Sequence, residues 1–244
     1  MGDEMLTRSF VAALCFAALA STLRAQVIVS NLAEPARAVN VLNGTDWAAQ
    51  SFETDARRYF LTSIDVITGE DTGDAAAFAE LRSADVNGDL DGEPGALQAT
   101  FTVPDLFGPL AVRTFVPDRV VVLQRNHRYY FVFGGIGDGP INWSYAEGNG
   151  QTGPGALSQY QYTYDGAATW INFGTDNPFH IAVKGDEIPC PSDFNADGFL
   201  TFEDFDAFVN AFEIGEFSAD FNLDDFLTFE DFDDYVTAFE AGCE

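Results

Sequence analysis

Asp193-Phe-Asn-Ala-Asp-Gly-Phe-Leu-Thr-Phe-Glu-Asp-Phe-Asp206 recurs 27 residues later as Asp220-Phe-Asn-Leu-Asp-Asp-Phe-Leu-Thr-Phe-Glu-Asp-Phe-Asp233. Aligned from Asp193–Gly215 against Asp220–Gly242, 17 of 23 positions are identical, which makes the segment an internal duplication. The second half of each copy carries apolar residues at three- and four-residue spacing: Phe205, Phe208, Val209 and Phe212, then Phe232, Tyr235, Val236 and Phe239. That period predicts one amphipathic helix per copy, with an acidic loop in front of it.

The loop has a chemistry of its own. A hard cation needs six or more oxygens at short radius, and a twelve-residue loop of EF-hand spacing supplies them from alternate positions. In the first copy Asp193, Asn195 and Asp197 fill positions one, three and five, the Phe199 carbonyl position seven, Thr201 position nine and Asp204 position twelve. Gly198 stands at position six, where the chain must turn sharply. The second copy supplies Asp220, Asn222, Asp224, Phe226, Thr228 and Asp231, and calcium is the expected cofactor. Asp225 replaces the turn glycine there, which predicts a weaker second site. A competing account reads Thr201-x-x-Asp204 and Thr228-x-x-Asp231 as helix capping pairs alone. It leaves Asp193, Asn195 and Asp197 without a reason.

A duplicated loop-plus-helix, with no entering helix before the first loop, resembles a dockerin. Both copies have Asp at the twelfth position, as dockerin loops do, and Cys190 with Gly242-Cys243 resembles the GC-type dockerin anchor. The resemblance implies a protein receptor, cohesin-like or a sorting component. Dockerins meet cohesins through residues just before the twelfth position, where this chain has Phe202-Glu203 and Phe229-Glu230 in place of small hydroxyl residues.

Composition shifts at the start of this module. Residues 187–244 hold 17 Asp+Glu and no Lys or Arg, and the whole chain carries a formal net charge of -28. Such a field excludes nucleic acid as a partner, because phosphate binding needs cationic side chains. It suits divalent cations, and equally plain solubility outside the cell. The first 25 residues read as a signal peptide: Arg8, then an apolar run to Ala20, with cleavage after Ala20 or Ala25. No later stretch is apolar enough to insert in a membrane. The expected location is secreted, extracellular or attached to the cell surface. Signal removal takes Cys15 and leaves Cys190 and Cys243, which an exported protein tends to join as a disulfide. Packing two loop-helix copies about a two-fold axis would bring these ends together; attachment of either cysteine to another molecule is the alternative.

Residues 26–186 read differently. Short alternating runs recur between turn residues: Tyr59–Ile67, Leu97–Val103, Arg119–Leu123, Arg128–Phe133, Tyr160–Tyr164 and Phe179–Val183. They predict an all-β antiparallel sandwich, jelly-roll-like, of eight to ten strands, followed by the small all-α module at 187–244. Lys184–Pro191 reads as the linker. The stretches Trp47–Phe52, Leu61–Val66, Gly92–Gly95 and Tyr129–Val132 resemble bacterial choice-of-anchor domains of the R type. That resemblance implies an exported, surface-attached protein without catalysis.

Three functions follow. The leading one is a non-catalytic exported protein attached through a calcium-dependent C-terminal module. The second is a carbohydrate-binding sandwich using Trp47, Trp143, Trp170 and the Tyr160, Tyr162, Tyr164 stripe, although packing is the commoner role of such rings. The third, a glycosidase, has no motif: only His127 and His180 exist, and no nucleophile elbow or zinc-binding histidine pair occurs. Asp85–Glu93 alternates acids and is either another cation loop or a solvated turn.

Overall fold

The computed structural model describes residues 25–70, 76–84, 92–222 and 226–243. The signal segment and most of the acidic 85–93 loop therefore lie outside the described residues, as do Asp224 and Asp225. In chain order the strands are β1 (Gln26–Ser30), β2 (Ala36–Leu42), β3 (Trp47–Glu53), β4 (Arg58–Glu70), β5 (Ala76–Ala84), β6 (Pro94–Thr102) and β7 (Gly108–Pro117). They continue as β8 (Val122–Leu123), β9 (Arg128–Ile136), β10 (Ile141–Ala146), β11 (Ala156–Thr163), β12 (Ile171–Asn172) and β13 (Ile181–Ile188). Two helices follow, α1 (Phe202–Ile214) and α2 (Phe229–Ala241).

The strands form two antiparallel layers. One runs β1-β13-β4-β7, with β10 and β8 also pairing β4 and β2 outside β10. The other runs β6-β5-β9-β3-β11-β12, and a short β6–β7 pairing at Phe101↔Pro117 and Thr102↔Val116 joins the layers at one edge. Rings from both layers fill the space between them. Phe115 of β7 meets Phe131 and Phe133 of β9, and Trp143 of β10 meets the same pair. The expected sandwich-like architecture is present. Strand β9 is buried on both faces, because Tyr130 and Val132 enter a second cluster with Ala49, Phe78 and Trp170 on the outer side.

Some expectations change. Thirteen strands stand among the described residues, against the eight to ten anticipated. Of Arg119–Leu123 only Val122–Leu123 is strand, and Val120 is exposed. Asp118 explains this: its carboxylate takes the Thr100 N–H and hydroxyl, which ends the β6–β7 pairing in a turn. The expected linker is also shorter. β13 runs through Ile188, two residues past the anticipated boundary, with Lys184 tied to Asp65 at 2.5 Å.

The helical module has internal two-fold symmetry, legible in its ring contacts. Phe208 stacks on its repeat mate Tyr235 at 3.9 Å. Phe205 meets Phe239 as Phe212 meets Phe232, and Phe194 meets Tyr235 as Phe221 meets Phe208. Each contact has its mirror, as an isologous interface requires. Cys190 and Cys243 are joined by a disulfide that closes the two ends of the module.

Candidate metal centre

Each helix begins in the same way. Thr201 and Thr228 are the N-caps, their hydroxyls accepting from the N–H of Glu203 and Glu230. Asp204 and Asp231 complete the boxes by accepting from the N–H of Thr201 and Thr228, both at 2.8 Å. The capping account is thus correct for one oxygen of each carboxylate. The other oxygen does something capping does not require. Asp204 Oδ1 reaches back to the Asn195 N–H at 3.1 Å, and Asp231 Oδ1 to the N–H groups of Phe221 and Asn222. The twelfth-position acid therefore ties the helix start to the loop start in both copies.

The first loop is folded around its own side-chain oxygens. Asp193 accepts from the N–H of Asp197 and of Gly198, Asn195 from Asp197 and Asp197 from Phe199. Gly198 has φ +89, the left-handed turn that its position demands, and Ala196 also has a positive φ. The acids at positions one and twelve, Asp193, Asp204, Asp220 and Asp231, are buried, while Asn195, Asp197, Phe199 and Thr201 face solvent. Burial pushes the Asp193 carboxyl above its ordinary range, against the hydrogen bond from Gly198, and nearby Asp204 adds to the rise. Asp231 goes the other way: burial works against its charged form, but the N–H groups of Thr228, Asn222 and Phe221 outweigh it.

Among the described residues no three His, Cys, Asp or Glu side chains are gathered into a metal cage. The donor chemistry of the loop nonetheless fits a hard cation. Its polar side chains offer carboxylate, amide and hydroxyl oxygens, with no imidazole or thiolate. Asp193, Asn195, Asp197, Thr201 and Asp204 are on one short loop, with Phe199 supplying a carbonyl. In the second loop Asp220, Asn222, Phe226, Thr228 and Asp231 are placed, and Asp224 lies outside the described residues.

Four phenylalanines near these loops are strongly exposed. Phe199 and Phe226 at the seventh positions, and Phe202 and Phe229 at the tenth, are each 69–80% accessible. They are repeat mates, so the module presents the same apolar pair twice.

The other candidates resolve into packing. Trp143 is fully buried, its indole N–H donating to the His180 carbonyl, and cannot be a stacking platform. Tyr160 and Tyr162 pack into the main core, which leaves Tyr164 as the exposed ring of the stripe. Trp47 lies edge-on to Phe78, and Trp170 packs on the outer cluster. His180 is buried between the Ser144 hydroxyl and the Glu34 carbonyl, and burial lowers its pKa. His127 is half-buried against Tyr129, and burial lowers its pKa too.

Two residues in contact with the loops escaped the sequence reading. Arg58 and Arg125 of the sandwich reach the two loops. The available signal was indirect: a module without Lys or Arg leaves its acids to be compensated from outside, by side chains of the preceding domain or by a cation. No family model matches the chain, and no curated protein matches it.

Proposed function

We propose that this is an exported, non-catalytic protein whose C-terminal module binds calcium in two repeated loops and attaches the sandwich to a surface or extracellular assembly. The observation that carries the reading is the placement of the twelfth-position acid. In both copies this buried carboxylate spans from the helix cap to the loop start, an arrangement beyond what capping needs. Calcium, when bound, would supply the positive charge that lets several carboxylates share one small volume. Asp193 and Asp204, with Asn195 and Asp197, would hold it in the first loop. Asp220, Asn222 and Asp231 would do so in the second. The loop amides orient these oxygens in advance.

Attachment is assigned to the exposed Phe199, Phe202, Phe226 and Phe229, whose duplication offers a protein receptor two equivalent apolar contacts. The acidic surroundings favour a receptor with a basic rim. Immobilising the chain from Gln26 onward and capturing partners from a native surface fraction tests this, with calcium and with chelator. Specific capture that needs calcium and is lost in Phe202→Ser/Phe229→Ser supports the reading. Equal capture in chelator, or by the variant, refutes it.

A further inference from the structure

The sandwich touches both loops at the same repeat position. Arg58, at the start of β4, is 7% exposed and donates to the carbonyls of Pro191, Asp193 and Phe194, the last two at 3.1 Å. Its guanidinium lies 5.8 Å from the Phe194 ring centroid. Arg125, in the loop before β9, donates to the Phe221 carbonyl and lies 4.7 Å from the Phe221 ring centroid. Phe194 and Phe221 are repeat mates, each at the second loop position. Two unrelated points of the sandwich thus make the same pair of contacts, a carbonyl bond and a cation–ring contact, to the two halves of the module.

The electrostatics repeat as well. Burial costs both guanidiniums and Arg125 repels Arg58, and against this each recovers attraction from the first- and twelfth-position acids of its own loop. These are Asp193 and Asp204 for Arg58, and Asp220 and Asp231 for Arg125. Buried arginines are retained only where such partners compensate their lost hydration. Arg58 Nε is buried without a hydrogen-bond partner, so the bonds to the loop carbonyls are what hold that side chain. The carbonyls that the arginines bind belong to the chain segment carrying the first-position acids. A shift of either loop therefore moves the seat.

We propose that Arg58 and Arg125 form a two-pronged seat by which the sandwich grips both loops, making the two regions one thermodynamic unit in which a loop-bound cation also stabilises the sandwich. The seat stands on contacts within the chain; its response to calcium rests on the calcium reading above.

The regions carry separate reporters. All three tryptophans, Trp47, Trp143 and Trp170, are in the sandwich, and both long helices are in the module. Thermal unfolding of the chain from Gln26 onward is followed by tryptophan fluorescence and by helical dichroism. In chelator the two melts coincide in the unaltered protein, and they separate in Arg58→Met/Arg125→Met. Melts already separate in the unaltered protein, or still coincident in the variant, overturn the seat without reference to any metal. Added calcium raises the tryptophan-reported midpoint of the unaltered protein by about 4 °C or more. In the variant only the helical midpoint rises. A helical response with an unmoved tryptophan midpoint in the unaltered protein overturns the coupling. No response in either reporter means that calcium does not bind; it removes the calcium reading and leaves the seat to the chelator result. Arg125→Met alone, at the less buried prong, keeps the test decisive if the double variant does not fold, since it should separate the melts in part.

Discussion

The sandwich and the helical module solve the same problem with different means. The sandwich buries a broad apolar core between two layers, so its stability comes chiefly from rings such as Phe115, Phe131, Phe133 and Trp143. The module has a small core around Phe208, Ala211, Ala219 and Tyr235 and buries four acids beside it. It depends on what a small domain must add: a disulfide, loop hydrogen bonds and counter-charges from outside. In the module the residues that hold the fold are also those of the proposed cation loops, whereas the sandwich core is built from apolar side chains and would feel a loop-bound cation only through Arg58 and Arg125.

The largest effect should come from the ring stack. Phe208→Ala removes the partner of Tyr235 and should cost about 3–5 kcal/mol. Phe131→Ala in the sandwich should cost a similar amount. With Arg58 and Arg125 in place, both variants should lower the helical and tryptophan midpoints together, and only added Arg58→Met/Arg125→Met should confine the Phe208→Ala loss to the helical signal. Dichroism and fluorescence melts of both variants check this.

Reduction comes next. The Cys190–Cys243 bond closes a segment with a sequence separation of 53, which is worth about 4 kcal/mol on the chain-entropy view. A reductant should lower the helical midpoint at least as much as the tryptophan midpoint, and should weaken calcium binding because binding and folding are linked. An unchanged helical midpoint on complete thiol release would contradict this.

Gly198→Ala is a smaller probe. An added Cβ meets no atom within 4 Å, so its cost is conformational alone, about 1–2 kcal/mol for a left-handed residue. Calorimetry should show roughly tenfold weaker binding at the first loop and no change at the second.

The smallest effect is in the sandwich and involves no metal. Burial lowers the pKa of His180 below the ordinary 6.5, so the unfolded chain binds more protons than the native one below that pH. Native stability attributable to this group is complete above 6.5 and is lost as the pH falls toward the lowered value. Tryptophan-reported midpoints should fall over that window, and less steeply in His180→Gln.

Much of the module was legible because its signals are local. The Asp193 and Asp220 repeats, the periodic phenylalanines and the two cysteines state their roles within one short segment, and the helices begin directly after the caps Thr201 and Thr228, as the capping pattern implies. The sandwich was legible only in class. Strand β7 escaped notice because Gly108, Pro109 and Pro117 stand at its ends and its Leu110, Val112 and Val116 are exposed. Arg119–Leu123 read as strand because its valines are β-formers, but Asp118 turns the chain first. Arg58 and Arg125 were out of reach for another reason. Their partners are over 90 residues away in sequence, and no periodic pattern encodes a contact between side chain and distant carbonyl.

Whether the duplicated loops are two cation sites is decided by calcium titration calorimetry of the chain from Gln26 onward. Two bound calcium ions are expected for the unaltered protein, one for Asp193→Ala or Asp220→Ala, and none for the double substitution. Undiminished binding by a folded double variant, or no binding heat in the unaltered protein together with an unchanged melt, would contradict it.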